Sequence, residues 1–424
     1  MLKNKQNDID MNSNKNIPQL RFPGFTVEWE ETKLGEVANK INRKNTRLEI
    51  SRVLTNSANV GIIDQNDYFD RDIAVKDNTA NYHIVEYGDF VYNPRISTAA
   101  PVGPISINKI GKGIMSPLYT VFKFHKGLIP FYEQYFQTTI WHSYLKSIAN
   151  YGARFDRMNI TTEGFFNMPL YLPAPAEQQK IAECLSAMDD MIAAQDEKVD
   201  ALKEKKKGMM QQMFPKQGET TPRLRFLGFT GEWEEKKLSD VFIRRTEKNV
   251  EDNKNVLTIS AQYGLISQLD FFKKSVSAAD VTGYYLLYKG DFAYNKSSSQ
   301  GKPVGAIKPL KLYDKGVVST LYICFRCKDS NAIGFWEQYF DAGIFDKEIM
   351  TIAQEGARNH GLLNVPTNDF FELKVLTPKP SEQQKIAECL SAMDDMIVSE
   401  SAKLDTLKDH KKGLMQQLFP QPNK

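Results

Sequence analysis

The chain contains one internal repeat that covers nearly all of its 424 residues. The segment PQLRFPGFTVEWEETKL at residues 18–34 returns as PRLRFLGFTGEWEEKKL at residues 222–238. The similarity continues through LTNSANVGIIDQNDYF and LTISAQYGLISQLDFF, YGDFVYN and KGDFAYN, and FYEQYF and FWEQYF, with offsets between 202 and 205. A drift this small leaves room only for loop-sized insertions. The two halves are therefore predicted to share one fold.

Each half is followed by the segment EQQKIAECLSAMDDMI, identical over sixteen residues at Glu177–Ile192 and Glu382–Ile397. Apolar residues recur at alternating steps of four and three, which is typical of a helix in a coiled coil. These positions are Ile181, Leu185, Met188, Ile192, Val199 and Leu202 in the first copy, and Ile386, Leu390, Met393, Ile397, Leu404 and Leu407 in the second. We expect them to mediate helix pairing or partner binding.

Polar residues interrupt the apolar repeat at the same two places in both copies. These residues are Gln195 and Lys206 in the first copy, and Glu400 and Lys411 in the second. Because a sustained 3.5-residue repeat calls for a partner helix, the nearest candidate for each helix is the other one. Because the globular halves have diverged much more than these identical helix segments, either the two helices share one constraint or they were copied separately.

The pattern predicts an α+β protein with two globular α/β domains, separated by a long antiparallel two-helix coiled coil and related by a pseudo-two-fold axis. We expect a disordered tail at 1–17, globular domains at 18–176 and 216–380, helices at 177–215 and 381–420, and a short tail at 421–424. At 1.5 Å per residue each helix is about 54 Å long. Antiparallel pairing would then make the helices a rigid spacer between the domains.

The composition excludes several classes of protein. Hydrophobic residues make up 41% and charged residues 25% of the chain, as in folded globular proteins. No apolar run approaches the ~18 residues that a membrane span needs. The first ten residues lack the apolar segment of a secretory signal, so we expect a cytoplasmic protein without a membrane partner.

The charge is distributed unevenly along the chain. The formal net charge is +3, yet residues 177–213 and 382–418 carry −2 each, which leaves +7 for the remainder. Positive charge is therefore concentrated in the two globular halves and their flanks. This placement suits a polyanionic ligand.

Two polar loops in each half contain candidate DNA-binding residues. The strand-like GDF[VA]YN segment leads to Asn93, Arg95, Ser97 and Thr98 in the first half, and to Asn295, Lys296, Ser298 and Gln300 in the second. A later Gly-Ala-Arg loop adds Arg154 and Arg157, and then Arg358, Asn359 and His360. Arginine, asparagine and glutamine can form paired hydrogen bonds with base edges, and serine, threonine and lysine reach phosphates. Polar hairpins without a ligand, and a surface loop with one structural arginine, remain open alternatives.

No motif in the sequence indicates catalysis by this chain. The phosphate-binding pattern GxxxxGK[ST] is absent, and Asn93-Pro94-Arg95 is the nearest approach to the Asn-Pro-Pro-aromatic motif of amino-group methyltransferases. The five histidines have no metal-ligand spacing. Cys324 and Cys327 are interpreted as strand residues on opposite faces in preference to a zinc site.

The order of these motifs resembles one known family. The FxGFxxEWE opening, the GDFxYN strand, the GAR loop, the P-x-EQQKIAExLSxxDxxI segment and the KKGxMQQxFP helix end follow one another from Pro18 to Pro420. This order resembles the specificity (S) subunit of type I restriction-modification systems, which act in host defence against foreign DNA.

The resemblance implies a non-catalytic subunit with two target recognition domains, each reading one part of a bipartite sequence in double-stranded DNA. It also implies partners: two methylation (M) subunits with S-adenosylmethionine, which methylate adenine N6, and restriction (R) motor-nuclease subunits that use ATP and Mg. No cofactor is expected on this chain. Because Arg95 aligns with Lys296, and Arg157 with Asn359 or His360, the two half-sites should differ in sequence.

Two other classes of function stay open at this stage. A coiled-coil scaffold that binds only proteins would leave the affinity of its partners for DNA unchanged. A methyltransferase without familiar motifs would transfer methyl groups without any partner.

Overall fold

The structure is a computed structural model that describes residues 16–68, 79–150, 156–260, 264–272, 280–297, 302–355, 361 and 363–420. The chain divides into two compact units. Unit 1 comprises the described residues of Met1–Gln195 and Lys403–Lys424, and unit 2 comprises those of Asp196–Ala402. Most of the tail predicted at 1–17, and all of the tail at 421–424, lie outside the described residues.

Unit 1 is built from short strands and helices followed by one long helix. Its strands are β1 (Glu30–Lys33), β2 (Ala38–Lys40), β3 (Leu54–Ser57), β4 (Gly61–Asp64), β5 (His83–Val85), β6 (Phe90–Tyr92), β7 (Ile105–Ile107), β8 (Gly113–Met115), β9 (Thr120–Phe124) and β10 (Pro169–Leu172). Its helices are α1 (Leu34–Val37), α2 (Gln65–Tyr68), α3 (Ile129–Gln137), α4 (His142–Ile148), α5 (Thr162–Phe166) and the first part of α6 (Pro175–Met213).

Unit 2 repeats this order of elements and has two further short strands before its last short helix. Its strands are β11 (Glu234–Lys237), β12 (Phe242–Arg245), β13 (Leu257–Ser260), β14 (Gly264–Ser267), β15 (Tyr285–Tyr288), β16 (Asp291–Asn295), β17 (Ala306–Pro309), β18 (Lys315–Val318), β19 (Ile323–Cys327), β20 (Gln354–Glu355), β21 (Leu363–Asn364) and β22 (Lys374–Thr377). Its helices are α7 (Leu238–Val241), α8 (Gln268–Phe272), α9 (Ile333–Asp341), α10 (Asp346–Ile352), α11 (Thr367–Glu372) and the first part of α12 (Pro380–Leu418).

A four-stranded antiparallel sheet lies at the centre of each unit. The strand order is β2-β9-β6-β7 in unit 1 and β12-β19-β16-β17 in unit 2. In the first sheet Phe90 lies between Phe122 and Ile107, and in the second Phe292 lies between Phe325 and Pro309. The registers correspond, which confirms that the two halves share one fold.

Aromatic side chains fill the space between each sheet and the helix that carries the FYEQYF or FWEQYF motif. In unit 1 the buried aromatic residues of α3 are Phe131, Tyr132, Tyr135 and Phe136, and in unit 2 those of α9 are Phe335, Trp336, Tyr339 and Phe340. Trp29 and Trp233, from the two FxGFTxEWE segments, are also buried. Burial of such large rings supplies much of the hydrophobic stabilisation of each core.

The two strand cysteines pack on opposite faces of β19, as predicted. Cys324 belongs to a small cluster with Leu257 and Leu287, whereas Cys327 belongs to the main core with Phe242 and Phe325. Burial raises the pKa of the Cys327 thiol to about 11 and that of Cys324 to about 12. Both thiols are packing residues.

The two long helices begin and end at equivalent residues. They span Pro175–Met213 and Pro380–Leu418, slightly earlier than the predicted 177–215 and 381–420. Proline suits the first turn of a helix because its missing N–H has no intrahelical partner there. Within the described ranges, no helix combines the length and hydropathy that crossing a membrane requires.

Within unit 2 the two helices run antiparallel. Lys198 lies 3.0 Å from Glu400, and Lys206 lies 2.6 Å from Asp394. Moving forward along α6 thus means moving backward along α12. In unit 1 Ile181 and Leu185 share one core cluster with Leu418 from the end of α12.

The twelve residues predicted for helix pairing differ in how far they are buried. Seven are buried: Ile181, Leu185, Val199, Ile386, Leu390, Met393 and Leu404. The others are half-buried: Met188, Ile192, Leu202, Ile397 and Leu407. Ile181, Leu185, Ile386 and Leu390 also join the cores of the globular parts, a contact that periodicity alone did not predict.

Each globular core is completed by the end of a helix that starts elsewhere in the sequence. In unit 1 the ring of Phe419 lies 5.9 Å from that of Trp29 and 5.7 Å from that of Phe131. In unit 2 the ring of Phe214 lies 6.1 Å from that of Trp233 and 5.9 Å from that of Phe335. The last three residues of each QQ[ML]FP helix end are therefore core residues, whereas the two glutamines are exposed.

A buried ion pair joins the opening segment of each half to the start of its helix. Arg21 donates two hydrogen bonds to Glu177, at 2.8 and 2.6 Å, and Arg225 does the same to Glu382. Both carboxylates are almost fully buried. Removing one partner of such a pair is costly because the other charge stays buried without compensation.

Phe214→Ala is expected to destabilise unit 2 by about 3–5 kcal/mol, because it removes a fully buried ring and leaves a cavity. Amide hydrogen exchange in β16 and β19 should accelerate, while β6 and β9 of unit 1 stay protected. Phe419→Ala should produce the reverse pattern.

Val250→Ala is the control, since Val250 is 88% exposed and such changes stay within about 0.5 kcal/mol. Equal loss of protection in both units after either phenylalanine change would contradict this local role.

Candidate nucleic-acid interface

The same asparagine turn follows the central strand in both units. The Asn93 Oδ1 accepts a hydrogen bond from the Arg95 backbone N–H at 3.0 Å, and the Asn295 Oδ1 accepts one from the Ser297 N–H at 3.1 Å. Asparagine favours this geometry because its side chain mimics the backbone of a turn. Its position after the strand follows from the repeated YN dipeptide.

Asn93 is a poor candidate for base contacts in this geometry. Its side chain is buried, and its Nδ2 donates to the carbonyl of Asn56 at 2.9 Å. The prediction grouped Asn93 with exposed readers because sequence alone does not show which way the amide points. Its observed contacts shape the loop that presents Arg95.

Glycine is required opposite this turn in both units. Gly103 and Gly305 have φ angles of +79° and +88°, and a Cβ at either would lie 2.0 Å from the carbonyl oxygen of Asn93 or Asn295. Both the backbone conformation and the space exclude a side chain. The sequence analysis missed these residues, although a Val-Gly pair occurs at the same place in both copies.

The two candidate loops of unit 1 meet in the structure. The Ile96 N–H donates to the Asp156 carbonyl, and the Met158 N–H donates to the Pro94 carbonyl, both at 3.0 Å. Arg95 and Arg157 face each other across this short antiparallel bridge. Segments about sixty residues apart in sequence thus form one surface.

This surface carries an excess of positive charge. Arg95 and Arg157 both lie near the single carboxylate of Asp156, at 3.8 and 3.7 Å. The Arg95 side chain is 59% exposed and that of Arg157 26%. Ion pairs this long and exposed contribute little stability, so a phosphate or base edge can replace the carboxylate at low cost.

Two hydroxyl groups extend this surface. Ser97 and Thr98 are exposed, and the Ser97 Oγ accepts a hydrogen bond from the Ala100 N–H at 3.1 Å. Accepting leaves the hydroxyl proton of Ser97 available to donate. Hydroxyl donors of this kind commonly bind phosphate oxygens.

In unit 2 the backbone just after the second loop contacts the asparagine turn, as Met158 does in unit 1. The Leu363 N–H donates to the Lys296 carbonyl at 3.0 Å. Asn295 and Lys296 are half-buried and Ser297 is exposed. The candidates Arg154, Ser298, Gln300, Arg358, Asn359 and His360 lie outside the described residues.

Lys302 is a basic residue of this loop that the sequence analysis missed. The Gly305 N–H donates to the Lys302 carbonyl, just as the Gly103 N–H donates to the Ala100 carbonyl. Lys302 therefore occupies the position of Ala100. Aligning the turns on the shared Val-Gly pair would have identified it.

In the part of the chain that the structure describes, no group of three or more histidine, cysteine, aspartate or glutamate residues could hold a metal ion. The chemistry available at the two loop surfaces is hydrogen bonding and charge. Such groups bind an anionic polymer and discriminate between base edges.

Gly103→Ala is expected to destabilise unit 1 more than Gly88→Ala. Both glycines have positive φ, so both substitutions cost about 1–2 kcal/mol of backbone strain. Only at Gly103 does the new methyl group meet a backbone atom, because nothing lies within 4 Å of a Cβ at Gly88. Chemical denaturation with a unit 1 probe measures the difference, and equal losses would contradict the requirement for space.

The comparisons with known proteins agree with this duplicated architecture. The chain is similar in fold to the S subunit of a type I restriction-modification system from M. genitalium, with a TM-score of 0.55 and 11% identity, over 96% of this chain and 100% of that one. It is also similar to a chain from a structure that addresses complex assembly and conformational transition of the type I R-M system, with a TM-score of 0.52 and 13% identity, over 93% and 98% of the two chains. No curated protein matches the chain.

The sequence itself matches a family model twice. The model describes the type I restriction modification DNA specificity domain and matches residues 26–204 and again residues 230–409. Each match covers one globular half and most of its long helix. The chain therefore belongs to the family of type I restriction modification DNA specificity domain proteins.

Proposed function

We propose that this chain is the DNA-recognition subunit of a type I restriction-modification complex, in which each unit reads one part of a bipartite target. The observation that carries the proposal is the meeting of two polar loops at one exposed, cationic surface in unit 1, with an equivalent backbone hydrogen bond at the corresponding turn of unit 2. In this proposal residues 18–176 and 216–380 are the reading domains, and residues 177–215 and 381–420 form the spacer.

The two half-sites are proposed to differ in sequence. The unit 1 surface presents Arg95 and Arg157 around Asp156, whereas the unit 2 surface presents Lys296 and Lys302. Arginine makes paired hydrogen bonds with guanine, while lysine acts more as a point charge. Two units with the same fold but different side chains on these loops favour a target whose two half-sites differ.

We propose that the partners are two methylation subunits and the restriction subunits of the complex. Each unit exposes the same small apolar stripe on its long helix: Ala187 and Met191 in unit 1, and Ala392 and Met396 in unit 2. Residues four apart lie on one helix face. A duplicated face of this kind suits one copy of a methylation subunit per unit.

In the assembled complex, chemistry is proposed to reside on the partners. S-adenosylmethionine would be held by the methylation subunits, and ATP and Mg by the restriction subunits, in the cytoplasm. This chain would position DNA and contribute no reacting group. A scaffold that binds only proteins is less favoured, because it would not require basic side chains at corresponding loops of both units.

Arg95→Ala, and separately Arg157→Ala, should relax recognition of the first half-site only. Loss of one arginine contact to a base costs about 1–3 kcal/mol of discrimination. Methylome sequencing of cells that carry the variant complex measures which bases of the motif lose stringency. Lys296→Ala should relax the other half-site.

Arg47→Ala is the matched control, since Arg47 is an exposed arginine of unit 1 whose pair with Glu49 spans 3.8 Å. Its motif should equal that of the wild type. A change in the second half-site after Arg95→Ala would contradict the assignment of unit 1 to the first half-site.

A fragment ending at Pro215 should self-associate. Alone it lacks Leu418 and Phe419, which close the core around Trp29 in the whole chain. A second copy of the fragment offers Met213 and Phe214 from an equivalent helix end. Light scattering should show a dimer that, with methylation subunits, modifies a palindrome of the first half-site, whereas a strictly monomeric fragment would contradict the proposal.

A further inference from the structure

The polar interruptions of the coiled-coil repeat have defined partners in the structure. Lys206 and Lys411 occupy positions where the repeat calls for apolar side chains. Their side chains are only 12% and 9% exposed, so both ammonium groups lie against the neighbouring helix. A buried lysine is stable only where hydrogen-bonding and charged partners meet it.

In unit 1 the lysine joins three helices. The Lys411 Nζ donates to the Asp189 Oδ1 at 2.5 Å and to the Gln137 Oε1 at 2.7 Å. The Gln134 Nε2 donates to the other oxygen of Asp189 at 2.8 Å. We call Gln134, Asp189 and Lys411 the unit 1 clamp; it links α3, α6 and α12.

In unit 2 an equivalent set of residues makes equivalent contacts. The Lys206 Nζ donates to both oxygens of Asp394, at 2.6 and 2.7 Å, and the Gln338 Nε2 donates to Asp394 at 2.8 Å. We call Gln338, Asp394 and Lys206 the unit 2 clamp; it links α9, α12 and α6.

One contact differs between the clamps. Gln137 of unit 1 is replaced by Asp341 in unit 2, and Asp341 pairs instead with Lys308 at 2.6 Å. Lys206 then takes the second oxygen of Asp394. The lysine, aspartate and glutamine core of the clamp is retained in spite of this change.

The apolar seam by itself allows the helices to slide. A shift of one heptad keeps apolar residues opposite apolar residues, since the seam repeats every seven positions. Shifted one way, Lys411 would face Ala182 and Lys206 would face Ala387. Neither alanine can pair with an ammonium group.

The opposite shift fails as well. It would bring Lys411 to Asp196 but leave Lys206 opposite Ser401. The observed register is therefore the one heptad setting in which both lysines meet a carboxylate. A polar residue at a core position of a coiled coil sets register in this way, at some cost in stability.

We propose that the two clamps set the register of the helix pair and, through Gln134 and Gln338, tie it to the reading domains, so that they determine the separation at which the two half-sites are read. This inference rests on the proposed function. The clamp residues are positioning residues: they touch no DNA and act through the helices that carry the reading domains.

The first test replaces both buried lysines by methionine, Lys206→Met with Lys411→Met. Methionine preserves the apolar seam, and the freed aspartates are more than 40% exposed and can be hydrated, so the variant is expected to fold. The full chain with methylation subunits is assayed on DNA in which the two wild-type half-sites are separated by spacers of varied length. Preference for the wild-type spacer over others should fall, because the apolar seam alone accepts neighbouring heptad registers.

The matched control is Lys203→Met with Lys408→Met, which removes two exposed lysines of the same helices. Its spacer preference should equal that of the wild type. A rescue variant exchanges the partners in unit 2, Lys206→Asp with Asp394→Lys, and should restore the wild-type spacer when Lys411 is intact.

A second readout needs no DNA. Spin labels at Lys203→Cys and Met396→Cys, both exposed, report the helix register in unit 2. Cys184 and Cys389 are replaced by alanine, while Cys324 and Cys327 are buried and do not label. The wild-type background should show one distance, and the methionine variant a broader or shifted distribution.

A folded methionine variant with the wild-type distance and spacer preference overturns the proposal. If that variant does not fold, Lys206→Asp alone is compared with the exchange variant: a distance that shifts in the first and returns to the wild-type value in the second supports the clamp, and any other result overturns it. A wild-type complex that methylates no bipartite sequence would refute the proposed function alone, because the spin-label distances test the clamp independently.

Discussion

Each globular core is closed by the end of a long helix, and in unit 1 that helix end is far from the rest of the core in sequence. Trp29 and Phe131 need the ring of Phe419, nearly three hundred residues beyond Phe131 in the chain, and Trp233 needs that of Phe214. Because burial of large aromatic rings dominates core stability, the position of each helix end is coupled to the folding of a domain. Each long helix therefore contributes side chains to the globular cores as well as connecting the globular parts.

Conserved construction and variable chemistry are separated within each unit. The asparagine turn and the glycine opposite it are the same in both, since steric limits at Gly103 and Gly305 permit no alternative. The side chains presented by that turn differ, with arginine in one unit and lysine in the other. Because the turn is fixed and only its side chains differ, the proposed half-sites can change without altering the fold. The proposed reading of two unlike sequences follows from this division.

Polar groups inside the helix pair serve a different purpose from those at the loop tips. Lys411 and Lys206 are desolvated, and each is matched by an aspartate and, through that aspartate, by a glutamine of the globular part. Such pairs add little net stability compared with apolar residues, yet they penalise every wrong register. In the sequence the two lysines are visible only as interruptions of a heptad pattern. Their role can be inferred only from the residues that they contact in the structure.

The sequence by itself determined the duplication, the two long helices, the apolar seam and the family. These are local or periodic features, which a helix repeat or a sixteen-residue identity expresses directly. It also placed Cys324 and Cys327 correctly on opposite faces of a strand. It did not show that the Asn93 side chain is buried, did not single out Lys302, and left Arg95 and Arg157 as separate candidates.

Only the tertiary structure decided that the loops of Arg95 and Arg157 form one surface, that Arg21 pairs with Glu177, and that Phe419 completes the core of unit 1. These contacts join residues that are far apart in the chain. Their pairing depends on strand order and on the direction of the helices, and no short window of sequence records either.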